Sequence, residues 1–89
     1  MARVAFTTNL QRHLACPAQE APGNTVRAVL DAVFATNPRL RSYVLDDQNR
    51  VRRHVHVYVN ESRIADTIGL TDPVGDSDEV FVFQALTGG

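Results

Sequence analysis

The chain has 89 residues, 44% of them hydrophobic and 21% charged, a formal net charge of −1 and a single cysteine, Cys16. That is enough for one domain, residues 1–89, with a modest core, and too much apolar content for a disordered chain. No apolar run is long enough to span a membrane and no internal disulfide can form, so a cytoplasmic protein is expected, with neither membrane nor nucleic acid as partner.

At the start, Met1–Phe6 is too short for a signal peptide. Ala2, Val4 and Phe6 alternate with Arg3 and Ala5, which predicts a strand with one buried face. Thr7-Thr8-Asn9 reads as a turn and Leu14-Ala15-Cys16 as a short second strand, ended by Pro17, which cannot donate to a ladder. Pro22-Gly23-Asn24-Thr25 then combines breaker and cap residues. Thr25 is a good N-cap for a helix whose apolar residues Val26, Val29, Leu30, Val33 and Phe34 recur at i, i+3, i+4, i+7 and i+8, one buried stripe. Asn37-Pro38 ends that helix, because the residue before proline disfavours helical backbone.

Pro38 to Tyr43 is expected to form another helical turn with Leu40 inward, and Asp46-Asp47-Gln48-Asn49 a turn. Val51 to Val59 reads as one strand, with Arg53, Val55, Val57 and Val59 on one face and Arg52, His54, His56 and Tyr58 on the other. Asn60-Glu61-Ser62 turns the chain into a short returning strand at Arg63-Ile64. Ile68, Leu70 and Val74 punctuate an irregular segment containing Gly69, Pro73 and Gly75. Val80-Phe81-Val82-Phe83 is apolar on both faces, as a strand in the middle of a sheet should be.

The order β-β-α-β-β-β predicts an α+β fold: one main helix lying across a mixed sheet of four to five strands, with the first and last strands central. That is the ubiquitin-like β-grasp, in which a single helix covers one sheet face. If the helix covers Val80 and Val82, then Phe81 and Phe83 face outward, either as a contact surface or beneath a folded-back connector.

Charge is unevenly distributed. Residues 1–60 carry eight arginines against four acids, and residues 61–89 carry six acids against Arg63 alone. The acids precede the C-terminal residues, so a partner gripping that end is expected to offer basic groups. All nine basic residues are arginine, so no lysine is available to accept an isopeptide bond from another copy.

For catalysis by the chain itself the residues offer little. Cys16, with only His13 nearby, reads as a small buried hydrophobe. His54 and His56 stand two apart on one predicted strand face, with no Cys, Asp or Glu beside them in sequence to complete a metal site. There is no phosphate-binding loop and no nucleophile elbow, and Asp76, Asp78 and Glu79 read as solvated turn acids. What remains is Gly88-Gly89: a narrow end, from about residue 84 onward a flexible tail, able to enter an enzyme channel. A carboxylate there is a poor acyl donor until it is joined to AMP as a mixed anhydride. A sulfur nucleophile can then convert it to a thiocarboxylate.

Asp76-Ser77-Asp78-Glu79-Val80, a short apolar strand and Gly88-Gly89 together resemble the closing D-G-D-E-V…G-G pattern of the ubiquitin-like sulfur carriers. That family includes the small subunit of molybdopterin synthase, the thiamin sulfur carrier and the carrier of a cysteine-forming pathway. Thr25-Val26 opening the helix and Val55-His56-Val57-Tyr58-Val59-Asn60 as the middle strand are similar to the same family. The resemblance spans nearly the whole chain and is most specific from residue 76 onward. It implies a co-substrate rather than an enzyme, with no bound cofactor. The Gly89 carboxylate would be adenylated by an E1-like enzyme at the expense of ATP, thiocarboxylated, and presented to a sulfur-accepting biosynthetic enzyme. It further implies that Leu86, Thr87, Gly88 and Gly89 enter the partner's active site and that Phe81 and Phe83 bind the partner. Ser77 stands where glycine is usual and Gln84 where proline is common. The connector from Pro38 to Arg53 is longer than in the most compact members and is similar to the molybdopterin and cysteine-pathway types. The same adenylate captured by a lysine of another protein gives a protein modifier instead, and an idle tail leaves a β-grasp binding module.

Overall fold

The alternation at the start of the chain becomes strand β1 (Ala2–Phe6), with Ala2, Val4 and Phe6 buried and Arg3 exposed. The structure is a computed structural model that describes residues 1–6 and 18–84. The turn expected at Thr7-Thr8-Asn9, the strand expected at Leu14-Ala15-Cys16, and His13, Cys16, Leu86, Thr87, Gly88 and Gly89 lie outside the described residues. The described second strand, β2 (Gln19–Ala21), buries only Ala21 and runs antiparallel to β1.

Helix α1 (Val26–Thr36) forms where the cap and stripe predict it. Thr25 has extended backbone, and its Oγ1 accepts the Ala28 N–H at 3.2 Å, satisfying one of the first turn's orphan donors. Val26, Val29, Leu30, Val33 and Phe34 are all buried. Gly23 just upstream has φ +139°, and a Cβ there would lie 2.8 Å from both the Ala28 Cβ and the Val29 nitrogen, so only glycine lets the chain approach α1 this closely. Asn37 closes α1, its N–H shared between the Val33 and Phe34 carbonyls at 3.1 and 3.2 Å. Pro38 then opens helix α2 (Pro38–Val44) at a position whose N–H would be unsatisfied in any case. The helix runs one residue past the expected Tyr43 and buries Leu40 and Val44.

The long strand expected from Val51 to Val59 is half that length. Strand β3 is Val55–Val59. Upstream, Val51 makes an isolated bridge with Leu45, and the Val55 N–H donates to the Arg52 carbonyl at 3.0 Å, closing a turn through Arg53 and His54. The apolar alternation continues through Val51 because Val51 also packs on the core, from a bridge rather than a strand. Strand β4 (Ser62–Arg63) returns one residue earlier than expected, and Ile64 is buried just after it. Strand β5 is Glu79–Gln84.

The five strands lie in the order β2-β1-β5-β3-β4, with β1 and β5 parallel and the other pairs antiparallel. First and last strands are therefore inside the sheet, as the β-grasp reading requires. Val4, Val55, Val57, Val80 and Val82 join the α1 stripe in one core, and no charged or polar side chain among the described residues is buried. No described helix is long and apolar enough to cross a membrane.

The irregular segment after β4 is held by side chains rather than by a ladder. The Asp66 carboxylate accepts N–H groups of Ile68, Gly69 and Thr71 at 3.1, 2.7 and 3.3 Å and the Thr71 hydroxyl at 2.7 Å. Asp72 does the same for the N–H groups of Ala65 and Asp66, both at 2.9 Å. The loop in turn accepts the first α1 donors: Val26 N–H to the Asp72 carbonyl at 3.0 Å and Arg27 N–H to the Leu70 carbonyl at 2.9 Å. Arg27 ties three segments together, its guanidinium donating to the carbonyls of Asn49, Ile68 and Gly69. Leu70 is buried with φ +54°, a bulky residue in left-handed backbone that this loop holds in place.

Candidate functional site: the outer sheet face and the root of the tail

Because side chains alternate along a strand, burying Val80 and Val82 against α1 turns Phe81 and Phe83 to the opposite face. The register decides what they meet. Phe81 sits between Ala5 of β1 and Tyr58 of β3, and Phe83 pairs with His56, the two rings stacked with centroids 6.2 Å apart at 29°. Tyr58, Asn60, Glu61, Phe81 and Phe83 line a shallow groove of about 350 Å³. Phe83 remains 41% exposed, so among the described residues the connector does not cover it. His56 brings its Nδ1 into this layer with no hydrogen-bond partner among the described residues. What brings Tyr58, His56 and Asn60 to this face is the antiparallel β3–β5 register, which a single strand's pattern does not reveal.

His54 does not share a strand face with His56. It lies in the turn before β3, so the two histidines belong to different local geometries. Among the described residues no three His, Cys, Asp or Glu side chains converge as metal ligands would.

The acids that lead into β5 are structural partners. The Asp78 carboxylate accepts the Gly75 N–H at 2.8 Å and the Asn60 side-chain amide at 3.0 Å, and these bonds hold its carboxyl below the usual range, the Asn60 bond contributing most. Glu79 faces Arg3 across the β1–β5 pair at 3.3 Å, and the Met1 ammonium lies 3.5 Å from Asp76. Such exposed pairs contribute little to stability, but they show where the acids are. They sit at one end of the sheet, with Asn60 and the start of β1.

Gln84, the last residue of β5, lies at the other end, opposite Val55. Five strand steps separate Glu79 from Gln84, about 17 Å. Asp76, Asp78 and Glu79 are therefore remote from Gln84, beside which stand Val55 and the turn carrying Arg52, Arg53 and His54.

The fold is shared with known proteins. The model of the ThiS family matches residues 9–89. The sulfur carrier protein CysO of Mycobacterium tuberculosis is 28% identical over 71 residues, covering 78% of this chain and 76% of that protein. A chain of the Amycolatopsis orientalis BexX/CysO complex superposes with a TM-score of 0.84 at 27% identity, with all of both chains covered. SAMP1 of Haloferax volcanii shares the fold, with a TM-score of 0.79 at 24% identity over 99% of this chain and 98% of that one. The β-grasp is borne out, and so is the resemblance to ubiquitin-like sulfur carriers: the chain belongs to the ThiS family.

Proposed function

We propose that the protein is a sulfur carrier whose reacting group is the carboxyl of Gly89, a co-substrate of other enzymes rather than an enzyme. The observation that carries this reading is Gly88-Gly89, four and five residues after the end of a central strand in a ThiS-family chain. A carboxylate oxygen of Gly89 attacks the α-phosphorus of ATP in an E1-like activating enzyme and pyrophosphate leaves. Hydrosulfide then attacks the acyl carbon and AMP leaves. The thiocarboxylate so formed donates its sulfur within an acceptor enzyme that builds sulfur into cysteine or into a cofactor of the molybdopterin or thiamin kind. Likeness to CysO carriers supports the cysteine branch.

In this reading Leu86, Thr87, Gly88 and Gly89 thread the partner's channel, where glycines offer no side chain to exclude. Phe81 and Phe83 dock the outer sheet face, and an apolar groove beside an exposed aromatic supports that role. The protein uses ATP only through its partner and holds no cofactor of its own. The protein-modifier alternative shares the adenylate and differs in its nucleophile, a lysine amine in place of sulfur.

The first step has its own test. With the purified activating enzyme, exchange of labelled pyrophosphate into ATP is expected to depend on this chain and to vanish when Gly88-Gly89 is deleted. Exchange that continues with the deleted chain excludes Gly89 as the adenylated group.

A further inference from the structure

We propose that Arg52 and Arg53 form a basic collar at the root of the tail, and that it docks on an acidic rim around the mouth of the activating enzyme's channel. This rests on the carrier reading above and adds to it which surface meets the partner first and with what charge. The β3–β5 register sets Gln84 opposite Val55, so the turn through Arg53 and His54 borders the point where the chain leaves the sheet. Arg53 is exposed and has no partner among the described residues. Arg52 is exposed and uses its Nε on the Ser42 carbonyl at 2.7 Å, which fixes the stem and leaves the rest of the guanidinium with no partner among the described residues.

The neighbouring acids do not cancel this charge. Asp46 is committed to Arg50 at 3.1 Å and to the N–H groups of Gln48 and Arg50, and Asp47 lines the same groove as Arg52. Residues 39–53 hold five arginines against those two aspartates, while Asp76, Asp78 and Glu79 are held at the far end of β5.

Reach identifies the partner's chemistry. Five residues from 85 to 89 extend at most about 17 Å. With Gly89 at the reacting phosphorus and the tail threaded to that length, the collar stands at the channel mouth, too far out to touch the nucleotide phosphates. The groups that complement a basic surface there are protein carboxylates, and exposed charges of this kind act mainly on encounter rate and salt dependence.

The test is the carrier concentration dependence of pyrophosphate exchange at low and at physiological salt. For the wild-type chain KM is expected to rise with salt. Arg53→Glu is expected to raise KM about tenfold at low salt with kcat nearly unchanged, and Arg53→Lys to stay within about twofold of wild type, because rim steering needs charge rather than a bidentate fork. Arg63→Glu on β4, the same change in net charge away from the collar, is expected to leave KM within about twofold. Circular dichroism melting of each variant confirms that it is folded. Exchange by wild type with a KM indifferent to salt and to Arg53→Glu overturns the collar and leaves the carrier reading standing. An equal rise in KM for Arg63→Glu also overturns it, showing that net charge alone is sensed. No exchange with wild type overturns both.

Discussion

Asn60 and Asp78, eighteen residues apart in sequence, are joined side chain to side chain where β3 ends and β5 begins. The Asn60 amide donates to Asp78 Oδ1, its Oδ1 accepts the Glu79 N–H at 3.0 Å, and its backbone N–H donates to the Glu79 carbonyl at 2.7 Å, all from left-handed backbone at φ +55°. Asp78 and Asn60 thus form a staple that sets the entry of β5. Asn60→Gly keeps the left-handed turn and loses the side-chain bonds; Asn60→Ala loses both. Urea unfolding is expected to show Asn60→Ala destabilised by about 2 kcal/mol and Asn60→Gly by about half of that. Equal losses mean that the turn conformation costs alanine nothing here.

Acid sensitivity follows from the aspartates that hold loops. The Thr71 hydroxyl first, and then N–H groups of Gly69, Thr71 and Ile68, lower the Asp66 carboxyl from 3.8 to about 2. Asp78 and Asp46 are lowered as well, the latter chiefly by the Arg50 N–H. A carboxyl that is more acidic when folded stabilises fully above its unfolded pKa and loses that contribution as pH falls through its folded one. Stability is expected to decline between about pH 4 and pH 2, with Asp66→Asn showing a shallower decline. Carboxyl carbon shifts followed by NMR check the cause directly: Asp66 titrating at an ordinary aspartate pKa contradicts it.

The buried stripe of α1 and the proposed docking face of β5 lie on opposite sides of the sheet. Leu30 is 1% exposed in the α1 stripe, so Leu30→Ala is expected to cost about 2–5 kcal/mol in thermal or urea unfolding.

On the opposite face, Phe83→Ser removes a side chain already 41% exposed. Its unfolding midpoint is expected to stay near wild type, while affinity for the activating enzyme, measured by calorimetry, falls about tenfold or more. Wild-type affinity in that variant removes Phe83 from the docking surface.

Where a segment's burial is periodic, the amino-acid order was sufficient to place it. The α1 stripe and its Thr25 cap, the two faces of β5, and the β-grasp order all follow from side-chain spacing. Val51 shows the limit: it is partly buried like a strand residue, but through a bridge to Leu45 after which the chain turns, so alternation extended β3 too far upstream. Gln19–Ala21 buries one residue at a sheet edge and has no pattern to read. The loop around Asp66 is built from carboxylate-to-backbone bonds, which leave no hydropathy signal. Closeness in sequence understates how far the acids lie from Gln84, because a strand holds its two ends apart and β5 lies between them.

The mass of the intact protein decides the central claim. After incubation with its activating enzyme, ATP and a sulfide source, the chain ending at Gly89 is expected to become heavier by the difference between a sulfur and an oxygen atom, and a peptide map to place the change on the Gly88-Gly89 fragment. A chain that remains at its starting mass while ATP is consumed, or that gains sulfur at Cys16 instead, contradicts the account.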